Sequence, residues 1–197
     1  MKTFVILALT AMFSSTVLAQ DNNLPLFPQV EIQTSEGNFV LELDGRRAPF
    51  SVANFVQYVQ DGHYDGTIFH RVIAGFVAQA GGYGEDLKEK KTRNPIPNES
   101  GNGLRNARGT IAMARMGHPH SGAAQFYINL GDNRNLDPNP SRWGYCVFGQ
   151  VIEGMQTLDK IAAIPTGASA PFRSDFPQKI VTITTARLIT EKPAATQ

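Results

Sequence analysis

The run from Phe69 to Gly82, FHRVIAGFVAQAGG, constrains this chain more than any other stretch. Thr67 to Ile73 and Phe76 to Gln79 are two β segments broken at Ala74-Gly75, and glycines follow on the far side. Such short segments build sheet rather than helix. Strict alternation places Arg71 and Gln79 on one face and Phe76 on the other. A bend or bulge at Gly75 would reset that parity, and a site made from all three residues requires the reset. The run could then hold one guanidinium and one amide beside an apolar floor. It offers no obvious nucleophile, carboxylate pair or metal cluster, which suits a reaction in which no stable covalent bond is made or broken.

The rest of the chain is organised around similar segments. Val30 to Thr34 and Phe39 to Leu43 alternate on either side of Gly37-Asn38 and read as a hairpin. Pro49 to Gln60 changes period: Val52, Phe55, Val56 and Val59 recur at helical spacing, Asp61-Gly62 ends the run, and Ser51 with Asn54 supplies capping chemistry. Residues 83–108 are rich in charge, Gly, Asn and Pro and form a long excursion, with 88–93 a solvated part of it. Thr110 to Ala114 and Gln125 to Leu130 are strand-like around a Gly/Pro/His loop at 117–123. Asn133 to Asp137 can make a turn of helix, and Tyr145 to Val151 is a strand with Gly149 as a bulge site. Gly154 to Ala163 is a second helix, and Lys179 to Ile189 the last strand. About eight strands with two dispersed helices suit a mainly β fold, a closed eight-stranded antiparallel β-barrel capped by two α-helices. Residues 29–190 form one domain, preceded by a loose arm at 20–28 and followed by a disordered tail at 191–197.

Residues 1–19 read as a signal peptide. Lys2 precedes the apolar run Phe4 to Phe13, and Val17-Leu18-Ala19 sets cleavage after Ala19. That run is too short for a membrane span of about 20 residues. The expected address is the periplasm, or secretion. The 197 residues carry a formal net charge of +1, which the loss of Lys2 would bring to zero. There is thus no general reason to expect nucleic-acid binding, or membrane binding after cleavage. Cys146 is the single cysteine, which excludes an intrachain disulfide, and its apolar neighbours mark it as buried. His118 and His120 flank Pro119 without an evident third ligand, so no metal is expected, and nothing requires a cofactor.

Taken together, the Phe69–Gly82 run, Gly109 to Ala114, Gln125 to Asn129, Leu136-Asp137 and Val147-Phe148-Gly149 resemble the signature segments of the cyclophilins, which are peptidyl-prolyl cis/trans isomerases. The resemblance spans about Val30 to Leu188 and looks closest to the exported bacterial branch. It implies Arg71 as principal catalytic residue, with Gln79 binding substrate backbone and helping to place the arginine. It implies Gln125 as the second such glutamine, and a proline socket of Phe76, Met113, Tyr127 and Leu136. Val77, Ala114, Arg115 and Met116 match the neighbouring wall, and Tyr145 stands at the pocket where many eukaryotic members have His. His70 is read as structural, since rotation about a peptide bond needs no proton transfer.

The chain departs from the family at several positions. Ala74 replaces a usual Pro, Ala80-Gly81-Gly82 replaces Gly-Gly-Asp, Ala124 replaces a Ser, and Tyr127 replaces a Phe. Asn135 stands where eukaryotic members carry Trp, which implies weakened inhibition by cyclosporin. The leading expectation is a monomeric isomerase acting on unfolded or flexible proline-containing polypeptides during the folding of exported proteins. The alternative is a proline-peptide-binding chaperone module with little turnover. A hydrolase would lack a recognisable nucleophile–base pair.

Overall fold

A computed structural model describes residues 24–189; the expected signal peptide 1–19, residues 20–23 and the tail 191–197 lie outside the described residues. The elements are β1 Gln29–Thr34, β2 Gly37–Leu43, α1 Pro49–Gln60, β3 Thr67–Ile68, β4 Arg71–Ile73, β5 Val77–Ala80, β6 Thr110–Met113 and β7 Phe126–Asn129. A single 3-10 turn at Arg134–Leu136 follows, then β8 Val147–Glu153, α2 Met155–Ala162, β9 Thr166–Ser169, β10 Phe172–Pro177 and β11 Thr182–Leu188.

The main sheet runs β3-β11-β1-β2-β8-β6-β7-β5-β4, every pair antiparallel. Its two ends, β3 and β4, are separated in the chain only by Phe69 and His70. Phe69 N donates to Val181 O at 2.9 Å, beside β11, while His70 N donates to Gln79 O at 3.1 Å, on β5. The stretch 67–73 therefore bonds one neighbour with its first half and the other with its second half. Counted once, it makes eight strands around a barrel-like sheet that returns on itself and, among the described residues, leaves no long free edge.

Alternation along the strands divides the molecule into two apolar regions. Val30, Ile32, Phe39, Leu41, Ala78, Ala80, Ile111, Phe126, Ile128 and Phe148 belong to the main core, which α1 and α2 complete. Helix α1 contributes Phe55, whose ring lies 4.9 Å from Tyr64, 5.4 Å from Phe126 and 5.3 Å from Phe148. Helix α2 buries Leu158 and Ile161. On the opposite face of β5, β6, β7 and β8, Val77, Ala112, Tyr127 and Val147 make a separate cluster. A bulge in β8 allows both Val147 and Phe148 to find their faces: Ile111 pairs with Gly149 but Ala112 with Val147, leaving Phe148 as the extra residue.

Two local expectations are corrected, and one hairpin adds to the expected elements. The α1 terminus has Ala48 at the N-cap position with no side-chain cap, and Pro49 begins the helix. Its exposed amides are instead met by Glu99, which accepts from Phe50 N at 3.0 Å, Ser51 N at 2.8 Å and Ser51 Oγ at 2.6 Å. A carboxylate from the long excursion thus replaces local capping chemistry and suits the positive end of the helix dipole. The described part of the arm is not loose: Leu43 N and Gly45 N donate to Pro28 O and Leu26 O, both at 2.9 Å. Finally, β9 and β10 form a hairpin in a segment whose glycine and prolines give it no strand signal. Packing supplies what propensity lacks: Phe172 stacks on Phe176 at 5.0 Å and meets Tyr83 at 4.9 Å and His70 at 5.8 Å.

Candidate active site

The break at Ala74-Gly75 is a full reversal rather than a bulge. Strands β4 and β5 pair Arg71 with Gln79 and Ile73 with Val77. Phe76 N donates to Ile73 O at 2.9 Å across the turn. Gly75 has φ +70, a conformation that side chains disfavour at this turn position. Arg71, Val77 and Gln79 consequently share the outer face, and Phe76 reaches it from the turn. The expected gathering occurs, by reversal of the chain instead of a parity slip.

Strand β7 pairs with β5 through Gln79 and Tyr127, and with β6 through Ala112 and Tyr127. This register extends the outer face sideways. Arg71, Phe76, Val77, Gln79, Ala114, Arg115, Tyr127, Leu136 and Tyr145 line one groove of about 300 Å³. Tyr127 and Tyr145 meet edge-on, centroids 5.9 Å apart. Beside it lies a second recess of about 220 Å³, lined in part by Gln79, Ala114, Met116 and Gln125. Gln79 Nε2 donates to Gln125 Oε1 at 2.9 Å and so links the two. Gly82 makes room for this pair, because a Cβ there would stand 2.5 Å from the Gln125 side chain.

Not every expected residue reaches the groove. Met113 lies on the inner face, 4 % exposed, within the main core. It sits two residues from Ile111 on β6, so the pleat turns both inward. Met116 is 78 % exposed and borders the second recess only. Arg115 lines the groove, but its guanidinium is engaged with backbone: Nε donates to Gly144 O at 3.2 Å, Nη1 to Met116 O at 3.0 Å and Nη2 to Trp143 O at 2.9 Å. It also lies 4.5 Å above the Tyr145 ring. Arg115 therefore clamps the two loops that flank the groove.

Arg71 is partly exposed, and its Nε stands 3.6 Å from Asp175 Oδ2 on β10. Gln79 lies directly opposite Arg71, but among the described residues the two side chains share no hydrogen bond. His70 is buried, and that burial pushes its imidazole down to about 4. It is a neutral ring packed on Tyr83 at 4.8 Å, and its Nδ1 has no hydrogen-bond partner among the described residues. Cys146 is buried beside Ser51 Oγ at 3.3 Å, and burial pushes its thiol up to about 11. In the 117–123 loop, His118 Nδ1 accepts from His120 N at 3.2 Å and His120 Nδ1 accepts from Asn98 N at 2.9 Å.

Sequence reasoning missed Asn106, which lies beneath the groove at 1 % exposure. Its Oδ1 accepts from Tyr127 Oη at 2.7 Å, while its Nδ2 donates to Asp137 Oδ1 at 3.0 Å. Burial raises the Tyr127 hydroxyl far above its ordinary range and keeps it a donor. An asparagine inside a Gly/Asn/Pro-rich excursion carries no signal that separates it from solvated loop residues.

Residues 29–188 match the family described as cyclophilin type peptidyl-prolyl cis-trans isomerase/CLD. Peptidyl-prolyl cis-trans isomerase A of Dickeya dadantii is 49 % identical over 160 residues, covering 81 % of this chain and 84 % of that protein. Peptidyl-prolyl cis-trans isomerase B of Escherichia coli is 46 % identical over 157 residues, covering 78 % and 95 %. A crystal structure of a Cryptosporidium parvum cyclophilin type peptidyl-prolyl cis-trans isomerase, in the presence of the dipeptide Ala-Pro, superposes with a TM-score of 0.68. It is 25 % identical and covers 83 % of this chain and 99 % of its own.

Proposed function

We propose, for a chain that belongs to the cyclophilin-type peptidyl-prolyl cis-trans isomerases, that Arg71 drives rotation about an Xaa-Pro bond seated in the groove beside it. The protein is an isomerase of proline-containing peptides. The observation that carries this reading is the convergence of Arg71, Gln79, Phe76, Tyr127 and Leu136 on one concave surface.

The barrier is about 18–20 kcal/mol and comes from amide resonance. Twisting the bond localises a lone pair on the prolyl nitrogen. A fixed donor aimed at that nitrogen stabilises the twisted state more than either planar form, which is the requirement for catalysis. Arg71 suits this, being permanently charged and planar. Phe76, Leu136 and the ring of Tyr127 form the apolar socket for proline, above Val77. Gln79, held by Gln125, offers its amide oxygen and remaining N–H to the substrate backbone. Ala114, Met116 and Gln125 border the recess in which the residue before proline would lie.

The substrates proposed are unfolded or flexible Xaa-Pro segments of exported proteins, met in the periplasm after cleavage behind Ala19. Support comes from the pattern of Lys2, the apolar run and Val17-Leu18-Ala19. The same reading favours a monomer with no cofactor. The experiment is an isomerisation assay on a short Xaa-Pro peptide with wild type and Arg71→Ala. A folded variant losing about 2–4 kcal/mol of barrier lowering supports the mechanism, and near-normal turnover overturns it. Mass measurement of the protein recovered from a periplasmic fraction tests the address: a chain starting at Gln20 is expected.

A further inference from the structure

We propose that Asp175 is the positioning residue for Arg71: its carboxylate holds the guanidinium at Nε and leaves the Nη fork to the substrate. This rests on the proposed role of Arg71.

An arginine side chain has several rotatable bonds, so a donor that must aim at one nitrogen needs a second contact to hold it. Gln79 is the neighbour placed opposite Arg71 in register, but its side chain is drawn to Gln125 and, among the described residues, makes no hydrogen bond to the guanidinium. The contact comes from elsewhere, through Asp175 Oδ2 at 3.6 Å from Arg71 Nε.

The backbone around Asp175 is built to present it. Asp175 has φ +61, a left-handed conformation that a side chain disfavours. It lies where the β9–β10 pairing loses register, between Phe172 and Phe176. These two phenylalanines stack on each other, and Phe172 packs on Tyr83 and on His70, the residue just before Arg71. The aromatic contacts anchor the hairpin against the start of β4, and the bulge turns one carboxylate toward the arginine. A pair this exposed contributes little to stability, so its effect should appear in turnover.

The strained backbone allows orientation to be separated from folding. Asp175→Gly removes the carboxylate and also relieves the positive φ, so its melting temperature should equal or exceed wild type. Its kcat on a short Xaa-Pro peptide should nevertheless fall about tenfold, with KM changed by less than about twofold, because a poorly aimed donor is lost in the transition state. Asp175→Asn, which tolerates the same backbone but carries no charge, should fall in the same direction. In an Arg71→Ala background, Asp175→Gly should change nothing further. Unchanged kcat in either folded single variant overturns the proposal, as does an equal loss with and without Arg71. If Arg71→Ala itself turns over normally, the proposed mechanism fails first. An inactive Arg71→Ala beside a fully active Asp175→Gly refutes this inference alone.

Discussion

Tyr127 and Asn106 are joined by a hydrogen bond of 2.7 Å under the floor of the groove, with the tyrosine donating. The tyrosine therefore lines the groove with its ring, while its hydroxyl is occupied below. Asn106 in turn binds Asp137, next to Leu136 on the groove's rim. The tyrosine hydroxyl thereby ties β7 to the long excursion.

Tyr127→Phe should accordingly keep turnover within about twofold, since the ring remains. It should cost about 1–2 kcal/mol of stability, because the buried Asn106 Oδ1 loses the shorter of its two donors and keeps only the longer one from Asn129 Nδ2. Denaturant melts and the peptide assay on the same preparation check both numbers. A variant of unchanged stability with much lower turnover would place the hydroxyl in contact with substrate instead.

Arg71→Lys should be nearly as poor as Arg71→Ala. An ammonium retains the charge but not the planar fork, and its three donors radiate from one nitrogen instead of from separate nitrogens fixed in one plane. Recovery of more than about half of wild-type kcat would show that charge alone suffices. Rates of the wild type should be flat from about pH 6 to 8, because the guanidinium keeps its charge throughout that range. A limb near pH 6.5 would implicate a histidine.

Folding stability should follow a different pH dependence. His70 is held neutral by burial, its value lowered from 6.5 to about 4. Between those values the unfolded chain binds the proton and the folded one does not. Stability is therefore present above pH 6.5 and is lost progressively as pH falls toward 4, by about 2–4 kcal/mol. His70→Asn should flatten this part of a melting-temperature profile measured from pH 4 to 7. An unchanged slope would assign the loss to carboxylates.

Glu99→Gln should destabilise the protein by about 1–2 kcal/mol, since a neutral amide replaces the carboxylate at the start of α1. Peptide turnover per folded molecule should be unaffected. Chemical denaturation at neutral pH is the check, and a change below about 0.3 kcal/mol would show that water serves the helix end equally well.

Asn135 is exposed in the 3-10 turn beside Leu136, and its carbonyl accepts from Arg142. It brings no indole to the rim. Ordinary peptide turnover with weak cyclosporin inhibition is expected, and Asn135→Trp should tighten inhibition roughly five- to hundredfold while changing turnover less. Paired inhibitor titrations decide it; equal inhibition constants would redirect attention to Tyr145 and Tyr127.

The sequence by itself determined the elements with strong periodicity: the β1–β2 hairpin, both helices, β6, β7 and β11. Through several spaced motifs it also identified most of the groove, from Arg71 and Phe76 to Tyr127 and Leu136. These signals are local, being set by apolar spacing and by residue types that carry their own chemistry. Only the tertiary structure decided that Ala74-Gly75 reverses the chain, that Met113 turns into the core and that Arg115 braces loops. It alone placed Glu99 at the helix end, Asn106 beneath Tyr127 and Asp175 beside Arg71. In each case a polar side chain finds its partner across tens of residues of sequence. Such pairings are set by which surfaces the closed sheet brings together and by the cost of leaving a polar group unsatisfied there, and neither is written in the residues flanking Glu99, Asn106 or Asp175.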